Sequence, residues 1–144
     1  MHFIHSFIPK RNHSLISPYS KHIVSKIPPI LASAGIFYFS SLPQPPFVMT
    51  SFQWQDKVLH FIAYTAYGLS LAIGVHVHHA FSIKKKILII GLIGCVYALS
   101  DEFHQLFVPG RTSELGDLIA DWLGVLLSVF VYVLYSRRFI SRKA

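Results

Sequence analysis

Tyr97 to Gly124 reads Y-A-L-S-D-E-F-H-Q-L-F-V-P-G-R-T-S-E-L-G-D-L-I-A-D-W-L-G, and this stretch decides how the rest of the chain is to be folded. It holds five of the six acidic residues (Asp101, Glu102, Glu114, Asp117 and Asp121), together with His104 and Arg111. Long apolar runs enclose it on both sides. Ionisable groups set between membrane-grade segments are expensive to bury, so they mark a site before they mark a scaffold.

Working outward, composition sets the class. Of 144 residues 53% are hydrophobic and only 13% charged, against roughly 25% charged in an ordinary soluble domain. That balance points to lipid as the solvent of a single domain. The formal charge of +7 does not indicate nucleic acid, because the lysines and arginines stand at the ends of apolar runs, where they report membrane topology. Cys95 is the sole cysteine, which excludes an internal disulfide and a cysteine-based metal site.

Four apolar segments follow in order. Residues 1–26 form a basic tail, expected to be cytoplasmic and poorly ordered, with His2, His5, His13 and His22 scattered through it. No apolar core begins near the terminus, so a cleaved signal peptide is not expected. A membrane domain covers 27–136, and residues 137–144 form a second basic tail. The first span is Ile27 to Leu42, short for a bilayer, with Pro28 and Pro29 in its first turn and Pro43, Pro45 and Pro46 after its end. Phe47, Phe52 and Trp54 suit the headgroup level of the loop that follows. The second span is Val58 to Val75, the third Ile87 to Val108, and the fourth starts at Ser113 as N-cap and ends at Tyr135.

The positive-inside rule orients the bundle. Lys10, Arg11, Lys21 and Lys26, then Lys84, Lys85 and Lys86, then Arg137, Arg138, Arg142 and Lys143 fall on one side. Lys57 and Arg111 alone fall on the other, so both termini are expected in the cytoplasm. Every acid then maps near the external face. Helical spacing gathers them: Asp56, His60 and Tyr64 lie on one stripe that continues through Tyr67, Leu71 and Gly74. Gly91, Gly94, Ala98, Asp101 and Gln105 form a second stripe, and Asp117, Asp121, Gly124 and Ser128 a third.

The motifs D-K-V-L-H-F-I-A-Y (56–64), S-D-E-F-H-Q-L-F-V-P-G-R-T-S-E-L-G-D (100–117) and A-D-W-L-G (120–124) resemble the VanZ-like family of small bacterial membrane proteins. The resemblance extends from about Ile36 to about Ser128, and Asp121 stands where that family usually has Asn. It implies an all-α, integral-membrane four-helix bundle of the cell envelope, in the bacterial inner membrane. The family is named for a member associated with resistance to teicoplanin, an association that does not extend to this chain on sequence alone.

Six acids against two internal cations leave four without a permanent counter-ion. Each unpaired Asp at a helix centre costs about 3 kcal/mol to insert, and less near the interface. The polar pocket expected from this excess comprises Asp56, Lys57, His60, Asp101, Glu102, His104, Gln105, Arg111, Asp117 and Asp121. Asp101, Glu102 and His104 are the candidates for general acid or base, and the others for ligand binding, with Arg111 gripping a phosphate or carboxylate. The partners expected are membrane lipid and a lipid-linked or exported envelope compound.

The same charges admit three competing roles. The acids and cations can serve only to fix helix packing. A proton-coupled transporter would need titratable groups in the cytoplasmic half of a span, and none is found there. His60, His104 and nearby carboxylates are zinc ligands by type, but D-E-x-H lacks the two-histidine spacing of H-E-x-x-H, so no metal or other cofactor is expected.

Overall fold

The computed structural model describes residues 17–43 and 54–141, and every regular element among them is an α-helix. They run α1 (Pro18–Val24), α2 (Ile27–Ser40), α3 (Gln55–His76), α4 (Ile83–Gln105) and α5 (Leu115–Ser141). The histidines at 2, 5 and 13, the loop residues Pro45, Pro46, Phe47 and Phe52, and Arg142 and Lys143 lie outside the described residues.

The N-terminal helix pair alters one expectation. Ser17 accepts from the Ser20 amide and starts α1 inside the stretch expected to be a tail. Lys26 precedes α2, whose first turn takes Pro28 and Pro29 as the missing proline N–H groups allow. Together α1 and α2 make an apolar run of 22 residues, Tyr19–Ser40. That run is longer than the segment expected from Ile27, and at ~1.5 Å per residue it matches a hydrocarbon core of ~30 Å.

Two further helices are long and apolar enough to cross a membrane, Gln55–His76 and Leu115–Arg138. Helix α4 has a comparable 23 residues but carries charge at both ends. Its N-cap is Ser82, which accepts from the Lys85 amide, so Lys84, Lys85 and Lys86 form its first turn and not the preceding loop. Asp101 and Glu102 occupy its last turns.

Helix α3 is the hub, packing against α2, α4 and α5, and its contact with α5 is the most extensive. Glycine permits that closeness: a Cβ on Gly124 would stand 2.5 Å from the Phe61 carbonyl oxygen and 2.8 Å from the Thr65 nitrogen. In lipid, where apolar side chains gain little by leaving the solvent, such backbone approach is a main source of cohesion. The expected small-residue stripe of α4 holds at Gly94 and Ala98, but nothing lies within 4 Å of a Cβ built on Gly91. Ile90, fully buried, packs into the core instead.

The distribution of polarity is inverted relative to a soluble bundle. Leu31, Leu88, Leu92, Leu126 and Phe130 are exposed, whereas Gln105, Asp117, Asp121 and Ser128 are buried. An exterior so continuously apolar is suited to hydrocarbon. The polar interior is concentrated at one end of the helices.

Candidate functional site

Three helices bring the polar side chains together. Asp56, Lys57 and His60 sit in the first turns of α3, Asp101, Glu102 and Gln105 in the last turns of α4, and Asp117 and Asp121 in the first turns of α5. The α4–α5 connection turns at Pro109-Gly110. Gly110 adopts φ +82°, and the Arg111 amide donates to the Val108 carbonyl at 3.1 Å. Proline and then a left-handed glycine are the residues a tight turn of this kind requires. The turn folds Arg111 back toward α4.

Lys57 ties α3 to α5. Its ammonium donates to Glu114 Oε2 at 2.8 Å and to Asp117 Oδ1 at 3.1 Å. Glu114 is exposed and Asp117 is almost fully buried. The Lys57 hydrogen bond holds the Glu114 carboxyl below the usual carboxylate range. Sequence marks Glu114 only as a residue near a helix start, and nothing in its spacing signals this link to α3.

His60 is the centre of the remaining acids. Its Nδ1 donates to Asp121 Oδ1 at 2.9 Å, and Glu102 Oε1 stands 3.8 Å from the same nitrogen. On the other side of the ring, Asp56 Oδ1 lies 4.0 Å from Nε2. Ser113 does not cap α5, which begins at Leu115; its hydroxyl donates to Glu102 Oε2 at 2.8 Å. Gln105 reaches Asp101 Oδ2 and Glu102 Oε1, each at 3.4 Å.

Arg111 behaves differently from a simple counter-ion. Its Nε and Nη2 both donate to Gln105 Oε1, at 3.2 and 2.7 Å. Among the described residues no carboxylate lies within ion-pair distance of it. His104, expected in the pocket, faces α2: Ser41 Oγ is 3.0 Å from its Nε2, and its ring stacks on Phe37 with centroids 4.7 Å apart. Three buried polar atoms of this end have no hydrogen-bond partner among the described residues, namely Tyr64 Oη, Asp101 Oδ1 and Asp121 Oδ2.

A cleft of about 380 Å³ opens beside this cluster between α2 and α3. One wall is Ala32, Gly35, Ile36 and Phe39, the other Leu59, Ile62, Ala63 and Ala66. Its polar end is formed by Asp56, His60, Asp101, Gln105 and Arg111, with Tyr64 beside them. The volume falls in the range of small-molecule sites, ~300–1,000 Å³. The contribution of α2 has no polar signature in the sequence.

Helices long and apolar enough to span a membrane, packed around buried ionisable residues, define the class: an all-helical membrane protein whose polar side chains gather at one end. Within that class the chain belongs to the VanZ/LLP1 family, whose model matches residues 5–136. It is similar to an uncharacterized protein of Schizosaccharomyces pombe, 28% identical over 109 residues, which is 76% of this chain and 60% of that protein. The chain therefore spans about three fifths of the length of that relative. With a fungal protein among its relatives, family membership does not fix a bacterial origin. No solved structure matches the chain.

Proposed function

We propose that this protein binds an amphiphilic compound, a lipid or lipid-linked molecule with a phosphate- or hydroxyl-bearing head, in the cleft between α2 and α3. One observation carries the reading: a single cleft joins two apolar helix walls to a polar end containing Arg111. Hydrocarbon fits the walls. Arg111 uses Nε and Nη2 on one oxygen of Gln105, and a phosphate or carboxylate offers its guanidinium a charged acceptor in place of that neutral amide. Asp101 and Glu102, beside this end, are the groups placed to take or give a proton if the head is modified there.

In this reading the bundle spans a cell-envelope membrane with four segments, α4 included, and the basic end and both termini lie in the cytoplasm. The polar end then faces the external leaflet. The Lys57 pairs with Glu114 and Asp117 support a purely structural role for that part of the cluster. They do not account for the cleft.

The test is native mass spectrometry of the purified chain with its co-purifying lipid. The wild type is expected to retain an anionic lipid, and Arg111→Ala to retain much less while still folding, with the modest loss in melting that an unpaired Gln105 oxygen brings. Ala63→Phe, which fills the apolar wall, is expected to exclude the tail. Equal retention in all three proteins would refute the reading. The orientation is tested with Arg111→Cys in a Cys95→Ser background: an impermeant maleimide should label it in intact cells, and labelling only after lysis reverses the topology.

A further inference from the structure

We propose that His60, Glu102 and Asp121 form a binding site for one divalent transition-metal ion, with Zn2+ as the best fit. The inference goes beyond lipid binding and is independent of it. It also departs from the expectation that the chain holds no metal, which considers His104 as a ligand.

The three residues come from α3, α4 and α5 and are all buried. Each offers one donor atom, and these atoms lie within 4.8 Å of one another. Two carboxylate oxygens converge on one imidazole nitrogen, Asp121 Oδ1 at 2.9 Å and Glu102 Oε1 at 3.8 Å from His60 Nδ1. Donors bound tetrahedrally to zinc at ~2.0–2.1 Å stand about 3.4 Å apart, between those two separations. An imidazole and two carboxylates are zinc-type donors, whereas magnesium and calcium favour all-oxygen sets.

The surrounding groups orient the donors as supporting residues do at metal centres. Ser113 holds Glu102 Oε2 and turns Oε1 toward His60, where it also accepts from Gln105 at 3.4 Å. Asp56 stands 4.0 Å from the opposite ring nitrogen, where a carboxylate would fix the imidazole with Nδ1 free to coordinate. A separate observation points to a missing ligand: Asp121 Oδ2, on a residue with no exposed surface, has no hydrogen-bond partner among the described residues. Charge agrees. Lys57 already serves Glu114 and Asp117, so a divalent ion would balance the single charges of Glu102 and Asp121. The competing set Asp56, His60 and Asp117 is weaker, because Asp117 is held by Lys57 and Asp56 is 40% exposed. His60 is the one proposed ligand that also lines the cleft, so the site lies at the cleft's edge.

The test uses the untagged full chain in detergent, stripped with chelator and dialysed against Zn2+ alone. One equivalent per chain by elemental analysis is expected, little Mg2+ uptake in a parallel sample, and tetrahedral d–d absorption when Co2+ replaces zinc. Asp121→Asn with Glu102→Gln should abolish that equivalent, and His104→Gln should keep it. Absence of stoichiometric zinc in the wild type would overturn the proposal, as would equal zinc in the double variant, which would place the ion on the tail histidines. If the double variant does not fold, the wild-type Co2+ spectrum decides, and an octahedral spectrum rejects the site. No lipid enters these measurements, so failure here leaves the cleft reading standing.

Discussion

The two ends of this bundle solve the problem of charge in lipid in opposite ways. At the basic end most cations are exposed on helix termini, and the one that is buried, Lys86, donates to the His76 carbonyl at 3.0 Å, capping the C-terminus of α3. His78, in the turn beside it, is held below the usual imidazole range by burial and by neighbouring His22, Lys26 and Lys86. At the acidic end Asp101, Glu102, Asp117 and Asp121 are turned inward, onto His60, Gln105, Lys57 and Ser113, and three buried polar atoms have no partner among the described residues. Both ends keep buried polar atoms without a partner among the described residues, His22 Nδ1 and His76 Nδ1 at the basic end, but only the acidic end buries carboxylates.

The largest expected effect comes from breaking the acidic end. His60→Leu leaves Asp121, which has no exposed surface, with no partner on either oxygen. Removing one member of a buried pair costs about 3–5 kcal/mol. Thermal unfolding in detergent should show this loss, and the His60→Leu, Asp121→Leu double variant should recover much of it, since replacing both partners removes the stranded charge. A His60→Leu protein that melts like the wild type would erase the contrast between the ends.

Much of the acidic end is legible in the sequence because helical spacing alone puts its members on common stripes. Asp56, His60 and Tyr64 on α3, and Asp117, Asp121, Gly124 and Ser128 on α5, do face the interior or its edge. His104 falls outside the pocket because proximity in sequence to Asp101 and Glu102 is not proximity on the helix. With Asp101, Glu102 and Gln105 inward, His104 points roughly 110° away from the middle of that face. Ser113 and Glu114 look like ordinary helix-start residues, and only the folded turn shows one holding Glu102 and the other Lys57. The α2 wall is invisible in the sequence for a simpler reason: apolar residues that line a cleft are the same types that face lipid. The bend between α1 and α2 likewise leaves no strong mark, since Ser25 and Lys26 are ordinary interfacial residues.

An intermediate effect is expected at the basic end. Lys86→Met keeps the apolar stem and removes one ammonium from one carbonyl, which the first turn of another helix placed there. The loss should be about 1 kcal/mol, a hydrogen bond together with its favourable position at a helix C-terminus. Because no buried charge is stranded, no second substitution is needed to rescue it. A loss as large as that of His60→Leu would mean that the basic end also carries a buried network.

The smallest effect separates the two behaviours within the acidic end itself. Glu114 is exposed and its partner Lys57 is half-buried, so their 2.8 Å contact belongs to the screened kind that contributes little. The hydrogen bond from Lys57 places the folded Glu114 carboxyl below its ordinary value of 4.5. A group lowered on folding stabilises the protein above its unfolded value, and that stabilisation disappears as pH falls through the lowered one. Melting of the wild type against Glu114→Gln should therefore differ slightly at neutral pH, with the difference closing in acid and shrinking with added salt. A difference that grows in acid would show that Glu114 acts through the buried Asp117 and not through Lys57 at the surface.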